Sequence, residues 1–485
     1  RDRMSGSPER FDVVVVGAGS AGSAVASRLS EREDRTVLLL EAGRDFPDEE
    51  TNPPSFFTGG NALGHDFAGI GAPTPELDWE YYGEPLGDGR RVHHRRGKLV
   101  GGSSMINGTI AVRAAPLDFD RWREHGAPEW GWEDVKDFIA RVETVTPIKR
   151  YARRHWHPFA AAFVAAHEEI GYRYVDDLNE PDSWDGIVGQ WPQNRRNEVR
   201  QGTLLTYVRR ARGRPNFELR ARCLADRVVI ENGRATGVRY LDGAGEPHTV
   251  HAELVVLSGG AYGSPAVLMR SGVGPAEALA EIGIDVTVNL PVGRGMMEHP
   301  QCFFHVVGPP ELAEMAYPGW PVASRGRGNH WYSFPLALDE EAGLCAVAFA
   351  LARDAGEGTV RLVSDDPTTA PRIDHRLQAV IESDRFDHAW ETFRQLLGSA
   401  ALRKLGASSP DLGRELREVL QERLGTAFHP AGGCQIGRVV DDALRVHGVD
   451  GLRVADASVF PVHIMNNPNL TCMMLGERVA DMCST

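Results

Sequence analysis

No apolar run in this 485-residue chain reaches the ~18 residues that a membrane-spanning helix needs. The opening RDRMSGSPER also lacks the apolar core of a secretory signal. A cytoplasmic location with no membrane partner is therefore the expectation. Excess positive charge is missing too. The formal net charge is −14, and a surface that tracks phosphates along nucleic acid needs the opposite sign. Nucleic acid is not expected as a partner. Cysteines are few and scattered. Cys223, Cys302, Cys345, Cys434, Cys472 and Cys483 include no C-x-x-C pair, so neither a zinc ribbon nor a dithiol redox motif is supported. They read as separate buried thiols. The pair His93–His94 suggests a metal site at first, but neighbours on a strand point to opposite faces and share an ion poorly. No metal site is expected.

What is present is ordinary globular material. Hydrophobic residues make up 42% and charged residues 25%, which is enough to build a real core. The length suggests roughly two to three domain-sized units. The sharpest local signal is FDVVVVGAGSAG, Phe11 to Gly22. Residues 12 to 16 are apolar enough for a strand buried on both faces. Ala21, Val25 and Leu29 then recur as on the inner face of a helix. A second apolar strand, Thr36 to Leu40, ends at Glu41. This is G-x-G-x-x-G inside a βαβ unit with an acid about twenty residues on. Gly17 permits the tight turn, Gly19 lets the backbone approach a pyrophosphate, and Gly22 lets helix and strand pack closely. The helix N-terminus offers free N–H groups to phosphate. Glu41 can accept hydrogen bonds from a ribose 2′-OH and would repel a 2′-phosphate, which argues against NADP. The motif alone does not separate NAD from FAD.

Two further stretches place small residues beside apolar runs, as suits backbone lying against a flat ligand. They are GKLVGGSSMINGTIAVR, Gly97 to Arg113, and GAYGSPAVLMRSGVGP, Gly260 to Pro275. With FDVVVVGAGSAG, the AFHPAGGCQIG stretch around Phe428 and GLRVADASVFPVHIMNNPNLTCMMLGERVAD at Gly451 to Asp481, the chain resembles the glucose–methanol–choline (GMC) flavoprotein oxidoreductases. The segments occur in family order across nearly the whole chain.

The resemblance implies FAD as the cofactor. It implies that Gly17, Gly19, Ser20, Ala21 and Gly22 cradle the pyrophosphate and that Glu41 holds the adenosine ribose. The backbone near Ala225 would meet adenine. Gly102 and Asn107, Gly108, Thr109 and Ile110 would lie against the isoalloxazine, and Asp456 and Ala457 would close the pyrophosphate side. Some members tether FAD through a histidine in the GGSS stretch. Ile106 stands there, so FAD is expected to be non-covalent. In PVGRGMMEHP, Gly295 and Glu298 replace the usual Asn and Asp, and no role is assigned to that loop.

Alcohol oxidation removes a proton from oxygen and a hydride from carbon. The flavin can take the hydride, and imidazole, with a pKa near neutrality, suits the proton. Position alone leaves His429, in TAFHPAGG, open between a base and a locally satisfied histidine. The resemblance implies that it is the catalytic base. Its partner position carries His or Asn in the family, and here it is Asn467, as in the choline-oxidising branch. An amide orients but does not shuttle a proton at neutral pH. The alternative on the same fold is a non-oxidative FAD enzyme of the hydroxynitrile lyase or photodecarboxylase type, and a non-enzymatic flavoprotein is a third possibility.

The expected fold class is α/β (α+β): a Rossmann-like FAD-binding domain with a discontinuous substrate domain on an antiparallel sheet. Residues 10–300 would be mainly FAD-binding, with 116–200 contributing to the substrate domain. Residues 301–420 would complete that domain, and 421–485 would return to the FAD domain with His429 and Asn467. HWYSFPLALD and CAVAFALAR read as strands. DLGRELREVLQERLG reads as an amphipathic helix with Leu416 and Leu420 on one face. GWPVASRGRGNH, from Gly319, reads as a linker-like loop, either a lid or plain surface. The expected partners are a small-molecule alcohol and O₂ or another electron acceptor. Aromatics for a trimethylammonium box exist in Trp79, Tyr81, Tyr82, Trp331 and Tyr332, though core packing accounts for them more simply. The identity of the alcohol and the oligomeric state are not legible.

Overall fold

The computed structural model describes residues 9–47, 75–180, 184–197, 199–313, 321–353 and 358–483. Its first half grows from β1 (Arg10–Val16), whose Val14 and Val15 are fully buried. β1 lies parallel between β2 (Val37–Leu40) and strand Pro247–Leu257. Phe217–Arg220 extends the parallel run beyond β2, and Leu452–Val454 joins Pro247–Leu257 from the far end of the chain. Leu224–Glu231 and Arg234–Leu241 complete this seven-stranded sheet as antiparallel neighbours. α1 (Ser20–Leu29) covers the sheet and is itself covered by the C-terminal helix Asn469–Met482. Small residues permit that layer: a Cβ on Gly476 would stand 2.5 Å from the Ala21 carbonyl oxygen.

A second seven-stranded sheet runs Gly425–Thr426, Pro300–Val307, Leu344–Leu351, Trp331–Asp339, Val322–Arg325, Ile187–Gln190 and Arg173–Val175. All its pairings are antiparallel except the last. Alternation gives each face its own core. Cys302, Phe304, Val347 and Phe349 pack with Phe163 and Phe393 of the helices Pro158–Glu169 and Asp387–Leu397. Tyr332, Phe334, Ala346, Ala348 and Ala350 lie on the other face. The two strands expected from HWYSFPLALD and CAVAFALAR are the centre of this sheet. Helix Leu416–Arg423 buries Val419 and Leu420 against the second core, with Leu416 partly buried beside them.

Two expectations are corrected. Helices Pro116–Glu124 and Trp132–Val145 do not serve the substrate sheet. Phe119, Trp122, Val135, Ile139 and Val142 join the core of the first sheet, because Trp132–Val145 packs on Asn469–Met482. Only the later part of 116–200 feeds the second sheet. The linker-like stretch is part strand and part surface turn, the turn being Arg327–Asn329. Gly319 and Trp320 lie outside the described residues, but Val322–Arg325 is a buried internal strand. Among the described residues no helix is long and apolar enough to cross a membrane, and all six cysteines are free thiols.

Candidate functional site

One cavity of about 450 Å³ runs from the glycine turn after β1 to the inner face of the second sheet. The glycines divide the work as the spacing demands. Gly17 has φ +98°, and a Cβ there would stand 2.4 Å from the Ser258 carbonyl oxygen. A Cβ on Gly22 would stand 2.0 Å from the Gly17 carbonyl oxygen. A Cβ on Gly19 would meet nothing within 4 Å. Gly17 and Gly22 are therefore required by packing, whereas Gly19 leaves open space at the N-terminus of α1, where phosphate is favoured. Gly17, Gly19, Ser20 and Ala21 line the cavity, and Gly22 sits behind it.

Glu41 also lines this end. Its carboxylate accepts from Ala18 N at 2.9 Å and Gly43 N at 2.8 Å, while burial pushes its pKa up to about 7. Ala225 lines the same end. Asp456 and Ala457 line the wall between the two ends. Asp456 accepts from Gly260 N, Ser264 Oγ and Ser458 N, which ties the Gly260 helix to the C-terminal segment. Gly102, with φ +52°, lies so close to Gly19 that a Cβ would come within 2.8 Å of its Cα. Asn107, Gly108 and Ile110 continue along the wall, and Ile106 lies among them. Thr109 does not line the cavity. At φ +61° it turns inward, and its hydroxyl accepts from Arg195 Nε at 2.9 Å. Its hydroxyl supports the loop from behind the cavity wall.

At the other end stand His429 and Asn467. His429 follows Phe428, a non-glycine residue at φ +62°, a strained conformation held by its neighbours. Phe428 N donates to Thr426 Oγ1 at 2.7 Å, and its carbonyl accepts from Arg96. His429 N donates to Glu298 Oε1 at 2.7 Å, and His463 Nε2 donates to the His429 carbonyl at 2.7 Å. The ring is set by a chain of contacts. His299 Nε2 lies 2.9 Å from the Ile464 carbonyl, which can only accept, so that nitrogen carries hydrogen. Neutral His299 then offers a lone pair at Nδ1, 3.0 Å from His429 Nδ1. His429 therefore carries its hydrogen on Nδ1 and leaves Nε2 bare. Burial first, then the neighbouring His463 and Arg96, hold the His429 pKa well below its ordinary value, so the ring is neutral at pH 7. Tyr332 Oη lies 3.3 Å from the same Nδ1. Asn467 Nδ2 donates to the Ile110 carbonyl at 2.9 Å, which fixes the amide.

The sequence did not reveal Glu298, His299, His463 or Tyr332 as a unit. The loop left without a role supplies two of them: Glu298 braces the backbone at His429, and His299 sets its tautomer. His93 and His94 do diverge. His93 stacks on Tyr82 and lies 3.6 Å from Asp78. His94 turns the other way and joins Glu298 and His375, one donor atom of each lying within 4.8 Å of the others. That buried group is the one donor set of metal type found among the described residues.

One end of this cavity can hold phosphates and a ribose; the other can take a proton. That pairing defines a dinucleotide-dependent oxidoreductase. Comparison with known proteins gives the family. Its two models, both described as GMC oxidoreductase, match residues 11–301 and 354–476. The chain is 31% identical to an oxygen-dependent choline dehydrogenase of Sinorhizobium medicae, over 97% of this chain and 95% of that one. It is 33% identical to the enzyme of the same name from Burkholderia thailandensis, over 97% and 93%. Among solved structures, Aspergillus oryzae formate oxidase superposes with TM-score 0.85 at 23% identity, covering 98% of each chain. Pyridoxine 4-oxidase from Mesorbium loti gives 0.85 at 24%, covering 97% and 98%. These structural likenesses speak to fold alone. The chain belongs to the GMC oxidoreductases, a family that binds FAD and oxidises CH–OH donors. The open cradle at Gly19, the acid at Glu41 and the wall from Gly102 to Ile110 fit that cofactor.

Proposed function

We propose that this protein oxidises an alcohol to a carbonyl compound, with His429 as general base and Asn467 orienting the substrate oxygen. When bound, FAD supplies the hydride acceptor at N5. The observation that carries the reading is the bare Nε2 of neutral His429 beside a cavity shared with Asn467. The hydroxyl proton passes to that Nε2. Asn467, anchored on Ile110, has its second N–H left to donate to the oxygen as charge develops there. His299 and the Ile464 carbonyl accommodate the positive charge gained by His429 only through hydrogen bonding, so the proton must leave before the next turnover. Oxygen is the electron acceptor favoured by the names of the choline dehydrogenase relatives, and another carrier would serve the same chemistry.

FAD is held without a covalent bond, since Ile106 offers no nucleophile at the tethering position. Acid precipitation should leave the yellow colour in the supernatant. The test of the activity is anaerobic mixing of the purified flavoprotein with a panel of alcohols, anionic, neutral and cationic. Bleaching of the flavin supports the proposal. Cyanide release or light-dependent CO₂ loss without bleaching would replace it with lyase or photodecarboxylase chemistry on the same fold.

A further inference from the structure

A single register row crosses the second sheet beneath the proposed reacting centre. Ile187 pairs with Arg325, Arg325 with Tyr332, Tyr332 with Ala350, Ala350 with Gln301 and Gln301 with Gly425. Directly paired residues present their side chains on one face, with Cα atoms ~4.5–5.5 Å apart. Arg325 therefore stands beside Tyr332, whose hydroxyl reaches His429, and Arg325, Tyr332 and Gln301 all line the cavity.

Arg325 is only 4% exposed and lacks an ion-pair partner among the described residues. Its Nη1 has no hydrogen-bond partner. Nη2 makes one long contact, 3.5 Å to the Leu178 carbonyl, and the guanidinium lies 4.0 Å over the Trp184 ring. The carboxylate that acts on it from a distance, Asp118, has its oxygens occupied by Ala115 N and Met465 N. Burial draws the Arg325 pKa down to about 9, which still leaves the group charged at pH 7. A buried cation with an unused N–H is costly unless an anion completes it. The two carboxylates that do line the cavity, Glu41 and Asp456, are bound by the glycine-loop and Gly260-helix amides away from this row. Among the described residues no carboxylate lines the part around His429. A trimethylammonium alcohol would thus meet the like charge of Arg325 with no carboxylate among the described lining residues beside it.

Resting on the alcohol-oxidation reading above, we infer that the substrate is a short hydroxycarboxylate, its carboxylate held by the Arg325 guanidinium one strand away from the His429–Tyr332 contact. The planar fork of arginine suits a carboxylate and takes no part in bond making. Gln301, two strands beyond Tyr332 in the row, lines the cavity with a neutral amide. Adjacent strands put both side chains on one wall of the cavity, which favours a short spacer between carboxylate and carbinol carbon, and the product is the corresponding oxo acid.

Two measurements on the FAD-loaded enzyme test this. The first is anaerobic flavin reduction by 3-hydroxypropanoate, its amide and choline. The hydroxy acid should exceed both others by about 10²-fold in kcat/KM, and Arg325→Gln should reduce that preference to within about threefold, with Arg325→Lys recovering part of it. The second is equilibrium binding of propanoate, which cannot be oxidised at a carbinol, against propanamide. Propanoate should bind, and Arg325→Gln should weaken it at least tenfold at unchanged FAD content. Choline or the amide reducing flavin faster than the acid overturns the inference, as does propanoate binding equally to both proteins. If no alcohol bleaches the flavin yet propanoate binding depends on Arg325, the anion site stands and the alcohol-oxidation reading fails.

Discussion

The two seven-stranded sheets do their work by different means. Around the parallel sheet the ligand-facing surface is mostly backbone: the turn at Gly17, the gap at Gly19 and the close approach of Gly102. Around the antiparallel sheet it is side chains: His429, Asn467, Tyr332 and Arg325 brought together from separate strands and loops. A backbone site is tolerant of side-chain chemistry and intolerant of added volume. A side-chain site is the reverse. The contrast can be broken at either end.

The largest effect should come from the side-chain end. His429→Ala should lower flavin reduction by alcohol on the order of 10²–10⁴-fold, as expected for loss of a general base, while FAD content stays at wild-type level. A variant that reduces its flavin at the wild-type rate would take His429 out of the chemistry. One that loses FAD would show that the two ends are not separable.

Acid should also distinguish the halves. Among the described residues the buried histidines are His94, His157, His167, His299, His375 and His463. None lies in the parallel sheet, in α1 or in the C-terminal helix. His157 caps the helix Pro158–Glu169 in the second half, and His167 lies in its last turn. Burial pulls His157 down to about 4 and His167 to about 3. Both folded pKa values are depressed, so the unfolded chain binds more protons below pH 6.5, and stability falls as pH falls through that window. The slope is ~1.4 kcal/mol per pH unit for each histidine, giving a loss of several kcal/mol by pH 4. His157 also caps its helix by accepting from Ala160 N, which a protonated ring cannot do. Hydrogen exchange corrected for intrinsic rates should show Pro158–Glu169 loosening at pH 5 relative to α1. His157→Asn should keep the cap and flatten the slope; an unchanged slope would assign the acid sensitivity elsewhere.

At the backbone end the two glycines should separate. Gly22→Ala drives a Cβ into the Gly17 carbonyl and should cost on the order of 1–3 kcal/mol of stability together with FAD. Gly19→Ala meets no protein atom and should leave the apoprotein's melting temperature unchanged while weakening FAD at least tenfold. Equal FAD affinity in Gly19→Ala would mean that no phosphate approaches that residue.

These differences also explain what the sequence disclosed. A glycine required by backbone geometry leaves its mark at one position, so β1, α1, β2 and the cradle were legible locally. Asn467 and His429 were found through resemblance to a family, not through spacing. The Arg325–Tyr332 pair and the His299–His429 contact were not legible, because strand register and a 130-residue separation bring them together. The four residues Val322–Arg325 are too short to show an alternation among glycines and arginines, which is why a buried strand read as a loop. Thr109 shared a motif with true cavity residues, but a positive φ turns it away from them.

The smallest predicted effect tests how far side-chain control extends beyond the groups that meet substrate. His299 acts only through His429: it accepts Nδ1–H and so excludes the tautomer with hydrogen on Nε2. Without that acceptor both neutral tautomers of His429 become populated, and only one can take a proton from the cavity side. His299→Ala should therefore lower the limiting rate of flavin reduction by about tenfold, a modest fraction of the general-base contribution, with KM within about twofold. The pH profile separates this from a packing defect. In the wild type, kcat/KM should be level above pH 6.5 and decline only below it, because the His429 pKa is depressed. In His299→Ala the level region should persist at lower height, since the tautomer ratio of a neutral ring does not vary with pH. A profile that instead becomes sloped above pH 6.5 would mean that His299 sets the ionisation of His429, and that charge, not hydrogen placement, is what this side-chain site controls.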